Sequence, residues 1–292
     1  FNSIGILTML PFTSQLVNFL TGVMPEKAVP RAEPKYLNES AIELPDTAIE
    51  AVRKETLHLF DNAFAIIAHG LSLHRHDILS DKELDQAVLE TTKVMPIDID
   101  DEYDTNVKGL YSAIVTFISR AQTSMSPEQA DELFALRAAG RDIVEAIKDT
   151  KHMHKNLSQY IVSENTHIRQ EYNKIRAHLG SVLRRLSAAQ EGAADDPSMV
   201  LSLDTIKLEM EENDTTVNGM LEALIRDGKI TAQMATSLMN DSAYAYDVTK
   251  NLIQMGEVLF ASGDQAMKDA ERAIALDDDE VQEILDLERE NS

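Results

Sequence analysis

Four side chains spaced three, four and three apart, Asp142, Glu145, Asp149 and His152, carry the clearest chemistry in this sequence. Apolar residues at 143 and 147, with Thr150, set the core side of the same helix, so the four form one outward stripe. Hard carboxylate oxygens with one imidazole could hold a divalent metal, and Zn, Mn or Fe suits that donor set better than Ca. An ordinary solvated acidic face is the other reading, with Lys148 and Lys151 available for pairing.

The remaining candidates are weaker. His74 and His76 are two apart and point to different faces of a helix. His154 falls in the apolar phase and reads as a core histidine. Glu164 and His167 read as surface residues, and Met234, Met239 and Met255 as packing residues. Asp104 and Asp214 read as carboxylates near helix N-termini, where the helix dipole favours them. No G-x-S-x-G, P-loop or H-E-x-x-H occurs, so no catalytic residue is assigned and a non-enzyme is expected.

Composition narrows the classes further. The 292 residues include 50 Asp and Glu against 27 Lys and Arg, a formal charge of −23. That excess excludes electrostatically driven binding to nucleic acid or anionic lipid as the main task of the whole chain. The absence of cysteine removes disulfides, thiolate metal sites and a Cys nucleophile. With 43% hydrophobic residues but only 11 Gly and 8 Pro, the chain predicts helices with few tight turns.

These helices must position the stripe. Residues 1–25 contain no charged side chain and are long enough to predict a transmembrane helix. A start at Phe1 rather than Met suggests a piece of a longer protein, and Lys27, Arg31 and Lys35 favour a cytoplasmic exit. Prolines 25, 30, 34 and 45 forbid a continuous helix through a 26–45 linker. Ser126-Pro127-Glu128-Gln129 predicts a capped helix start, as does Asp196-Pro197. One seven-residue apolar phase runs from Leu133 to Leu186 and predicts a single long helix. Other amphipathic stretches cover 46–72, 101–123, 198–226 and 230–262, and 277–292 reads as an acidic tail.

An internal repeat organises them. Asp104–Ile114 recurs as Asp214–Leu224, and positions 143–157 correspond to 241–255 at a shift of 98. Two three-helix repeats, 46–157 and 158–276, follow from this. With the string Ala32-Glu33-Pro34-Lys35-Tyr36-Leu37, the chain resembles the C-terminal part of bacterial sodium/phosphate cotransporters. There the last transmembrane helix joins a cytoplasmic PhoU-like domain. The resemblance implies an all-α chain in the inner membrane, residues 26–292 cytoplasmic, belonging to a sodium-dependent phosphate symporter. Its sodium, phosphate and transporter-core helices would lie upstream of Phe1, and a homodimer or signalling partner is possible within that picture. It also places the family's metal-binding E/D-x-x-x-D motif on Glu145–Asp149, while Asn240, Ala243, Asp247 and Lys250 depart from it in the second repeat. A PhoU-like phosphate-signalling regulator without transport is the alternative, and a metal-dependent hydrolase a third.

Overall fold

The computed structural model describes residues 31–91, 93–191, 205–206 and 219–260. Two compact units divide the chain, Phe1–Arg31 and Ala32–Ser292, and every helix described belongs to the second. Its helices are α1 (Pro45–Gly70), α2 (Arg75–Leu79), α3 (Leu84–Glu90), α4 (Ile99–Asn106), α5 (Lys108–Ala121), α6 (Pro127–Tyr160), α7 (Thr166–Glu191) and α8 (Ala232–Phe260). Residues 219–226 are also helical. No strand occurs among the described residues.

Local chemistry accounts for the helix ends. Ser126 accepts a hydrogen bond from the Gln129 amide and Gln129 Oε1 accepts one from the Ser126 amide, closing a capping box ahead of Pro127. The long apolar phase does not make one helix. It breaks between Tyr160 and Thr166, where Asn165 Oδ1 accepts from the amides of His167 and Ile168 and starts α7. The apolar spacing survives the break because Leu157, Ile161 and Ile168 all remain buried. Helix α1 ends with Ser72 in the left-handed region at φ 55°, a position that favours glycine. Its amide donates to His69 O and that of Leu73 donates to Ala68 O, the paired bonds of a Schellman end.

Side-chain pairs fix the helix directions. Arg53 meets Glu132 and Gly70 meets Thr150, so α1 and α6 run parallel. Asn156 meets Asp241 and Asp149 meets Asn251, so α6 and α8 run antiparallel. Tyr172 meets Asp241 and His178 meets Thr249, so α7 and α8 are parallel. The four long helices therefore form an up-up-down-down bundle, whose two parallel pairs need long crossovers. Residues 71–126, with α2 to α5, supply the first. The α6–α8 seam is the most extensive of these packings.

One contact along α1–α6 is tight enough to test. A Cβ added at Gly70 would lie 2.7 Å from Thr150 Cγ2, and Thr150 cannot swing away because its hydroxyl donates to Ala146 O at 2.8 Å. Gly70→Ala is expected to destabilise by about 1–3 kcal/mol. Adding Thr150→Ser removes the methyl, keeps the hydroxyl and should recover most of that loss in urea denaturation.

The membrane part of the expected fold does not stand. Residues 1–25, the predicted span, lie outside the described residues. Among the described residues no helix is long and apolar enough to cross a membrane. The physical reason is that the long helices are amphipathic: α6 buries Leu133, Leu136, Ile143 and Ile147 while exposing Arg141, Lys148 and Lys151. Residues 32–37, read as a linker leaving the membrane, instead pack on the bundle, with Ala32 and Leu37 against its core. What the fold supports is an all-α bundle. The start at Asp196-Pro197, Asp214 and the 277–292 tail also lie outside the described residues.

Candidate functional site

The stripe on α6 does not form a single site. Asp142 is turned into the protein, almost fully buried, and accepts from its neighbour Arg141 at 3.2 Å. Burial raises its pKa, against the pull of Arg141. Glu145 is paired with Lys148 at 2.7 Å. His152 is exposed and stacks on Tyr244 of α8, with ring centroids 5.1 Å apart. Asp149 sits on the seam, where Asn251 Nδ2 donates to it at 3.4 Å.

Electrostatics single out Asp149. Its pKa is raised to about 6 by burial first, then by the charges of Asp247 across the seam and Glu145 on its own helix. His152 and Lys148 oppose the rise. Because the folded value lies above the unfolded one of about 3.9, the unfolded chain loses its proton first. The stabilisation that Asp149 contributes is therefore fully present below about pH 4 and is lost as pH rises to about 6, where the folded state ionises too. Asp149→Asn should remove this decline and stabilise the protein at pH 7.5 by about 1 kcal/mol after solvent screening. Chemical denaturation at pH 4.5 and 7.5 checks both statements.

Along the stripe Asp142 is buried beside Arg141, Glu145 is compensated by Lys148 and His152 is exposed against Tyr244. Among the described residues no group of three or more His, Cys, Asp or Glu side chains is arranged to hold a metal ion.

Three interior polar nodes were not singled out from spacing. Glu55, fully buried on α1, accepts from the amides of Lys35 and Tyr36 at 2.8 and 2.7 Å and from His58 Nδ1 at 2.8 Å. Arg176, 1% exposed, donates to Leu71 O at 2.8 Å, Ser72 O at 3.0 Å and Asn173 Oδ1 at 2.9 Å. Burial lowers its pKa to about 10, so it stays charged at neutral pH. Tyr172 donates to buried Asp241 at 2.6 Å, and Asn156 adds a longer bond of 3.4 Å. The available signal was a charged residue on an apolar face: Glu55 follows Val52 by three and Arg176 follows Tyr172 by four.

The weaker candidates also find places. Half-buried His154 donates from Nδ1 to Gly70 O at 2.8 Å, helping to close the end of α1. His74 precedes α2 and meets the ring of His69 edge-on, and His76 is exposed. Met255 is buried, Met234 packs partly on the core and Met239 is exposed. Asp104 is exposed and pairs with Lys108 at 2.8 Å.

No family model, curated protein or solved structure matches this chain. That finding overturns the resemblance to sodium/phosphate cotransporters and, with it, the symporter function, the transporter-core partners and the inner-membrane location. A six-residue string and a helical repeat are too short and too generic to define a family. The string owes its conformation to contacts within the bundle.

Proposed function

We propose that the bundle is a non-catalytic regulatory module that binds a basic partner segment. The observation that carries this reading is how the protein distributes its charge. Each buried Asp, Glu or Arg among the described residues has a partner: Glu55 holds backbone amides, Asp142 accepts from Arg141, Arg176 holds helix-terminal carbonyls and Asp241 holds Tyr172. No buried side-chain polar atom among the described residues lacks a hydrogen bond. The surplus carboxylates stand outside instead. Asp98, Asp100, Asp101, Glu102 and Asp104 are all exposed at and along α4; Asp100 pairs with Lys151 and Asp104 with Lys108, while Asp98 accepts from the amides of Asp100 and Asp101 and Glu102 from Asn106.

Such a surface favours fast, salt-sensitive encounter with a cationic segment. The test is fluorescence anisotropy with Lys/Arg-rich and scrambled-charge peptides. Replacing Asp98, Asp101 and Glu102 by their amides should weaken binding of the basic peptides about tenfold, with a shallower salt dependence. Equal binding of neutral peptides, or no effect of the triple change, would refute the reading.

A second, narrower reading is supported by the raised pKa of Asp149. The negative potential that Asp247 and Glu145 place on this carboxylate is one that a hard divalent cation would relieve. Titrating Mn²⁺ in a calorimeter tests it: saturable heat lost in Asp149→Asn supports a weak cation site, and equal heats in both proteins dismiss it.

A further inference from the structure

We propose that residues 32–44 form a releasable strap, latched by the buried carboxylate of Glu55, that opens independently of the four-helix core. The strap has few tertiary attachments. Its first is a bond from the Ala32 amide to Thr105 O at 2.9 Å. Its second is Glu55 Oε2, which takes the consecutive amides of Lys35 and Tyr36. Its third is a fully exposed pair of Glu39 with Arg120 of α5. Asn38 caps a 3-10 turn, Glu39–Glu43, that rests on α1 and α5 and buries Ala41, while Leu37 and Ile42 are only partly covered.

Glu55 makes the closed strap conditional. A carboxylate with no exposure is costly unless donors replace its lost water. Two of its three donors belong to the strap, and the third, His58, lies one turn along α1. When the strap lifts, water replaces those amides and restores the hydration of the carboxylate, which offsets part of the lost bonding. The hydrogen bonds within α1 do not depend on the strap. Opening therefore requires far less free energy than unfolding the bundle, and it uncovers the face of α1 and α5 on which the turn rests. The strap leads directly into α1 at Pro45, so a pull on the chain before Ala32 acts on the latch before it acts on a helix.

Amide hydrogen exchange on the full chain tests the proposal. In the unaltered protein, the Lys35 and Tyr36 amides should exchange well before those of α6 and α8. Glu55→Gln should accelerate those two amides by about 10-fold to 100-fold, the effect of losing a charge-assisted bond, with α6 and α8 unchanged. Glu39→Gln, which touches nothing in the interior, should give a smaller acceleration confined to 32–44. Exchange of Lys35 and Tyr36 at the same rate as the α6 and α8 amides in the unaltered protein would overturn the proposal. So would equal acceleration of strap and core in Glu55→Gln, because Glu55 would then be an ordinary part of one folding unit.

Discussion

Arg176→Met is expected to lower folding stability by about 3–4 kcal/mol, because it leaves several buried carbonyls without their charged donor. The guanidinium lies where the end of α1, the end of α3 and the middle of α7 meet. Besides Leu71 O and Ser72 O it reaches Val88 O and Thr91 O at 3.4 Å each. Carbonyls at helix C-termini have no intrahelical donor, and a cation there also opposes the negative end of each helix dipole. Methionine fills a similar volume but leaves those acceptors without their charged donor. Relief of guanidinium desolvation returns part of the loss, so the net effect stays below a sum of bond energies. Arg176→Lys should recover less than half, because one ammonium cannot span the carbonyls that a planar fork reaches. Guanidinium-chloride denaturation measures both. A loss under 1 kcal/mol for methionine would mean that water closes these helix ends unaided.

Tyr172→Phe should destabilise by about 2–3 kcal/mol at neutral pH, and the loss should depend on pH. Asp241 is 1% exposed, and burial raises its pKa while the bonds from Tyr172 and Asn156 lower it. Burial first, and then the bond to Asp241, raises the pKa of the Tyr172 hydroxyl, which therefore stays a donor across the working range. Without that hydroxyl, Asp241 keeps only the 3.4 Å bond from Asn156. Its folded pKa then rises further above the unfolded value. A carboxyl shifted in this direction stabilises the fold below the unfolded pKa, and that stabilisation fades as pH climbs through the folded pKa. The cost of Tyr172→Phe should accordingly be small near pH 4.5 and full near pH 8. Adding Asp241→Asn should restore much of the stability at pH 8, since a neutral amide needs no compensation for charge. A pH-independent loss would assign the effect to packing of the ring against Tyr160, whose centroid lies 5.0 Å away.

Both predictions concern groups that periodicity handles poorly. The apolar phase of α6 and α8 places Ile143, Ile147, Thr150 and Leu157 inside, and it does the same for Ala245, Val248, Leu252 and Met255. It counts Asp241 among them without saying what an aspartate does there. The phase of α7 puts Ile175 on the core face, yet Arg176 is the residue fully buried and Ile175 only partly so. A helix face about 100° wide admits two neighbours, and tertiary partners decide between them. Here the carbonyls of Leu71 and Ser72 decide.

Sequence alone determined the all-α class, the capped start of α6 at Ser126, the interruption of continuous helix ahead of Pro45 and the core face of α6 and α8. Those features depend on interactions within a few residues: a cap bonding three residues on, a proline lacking its donor, apolar side chains recurring every three or four positions. Tertiary structure decided which charges serve the fold and which face solvent. Asp142 and Asp149 share a stripe by spacing, but one is buried beside Arg141 and the other lies against Asp247 of a helix about a hundred residues later. Glu55 is an unremarked acid of α1 until Lys35 and Tyr36 bring their amides to it. A carboxylate's role depends on its burial and its partners, and both come from segments distant in sequence.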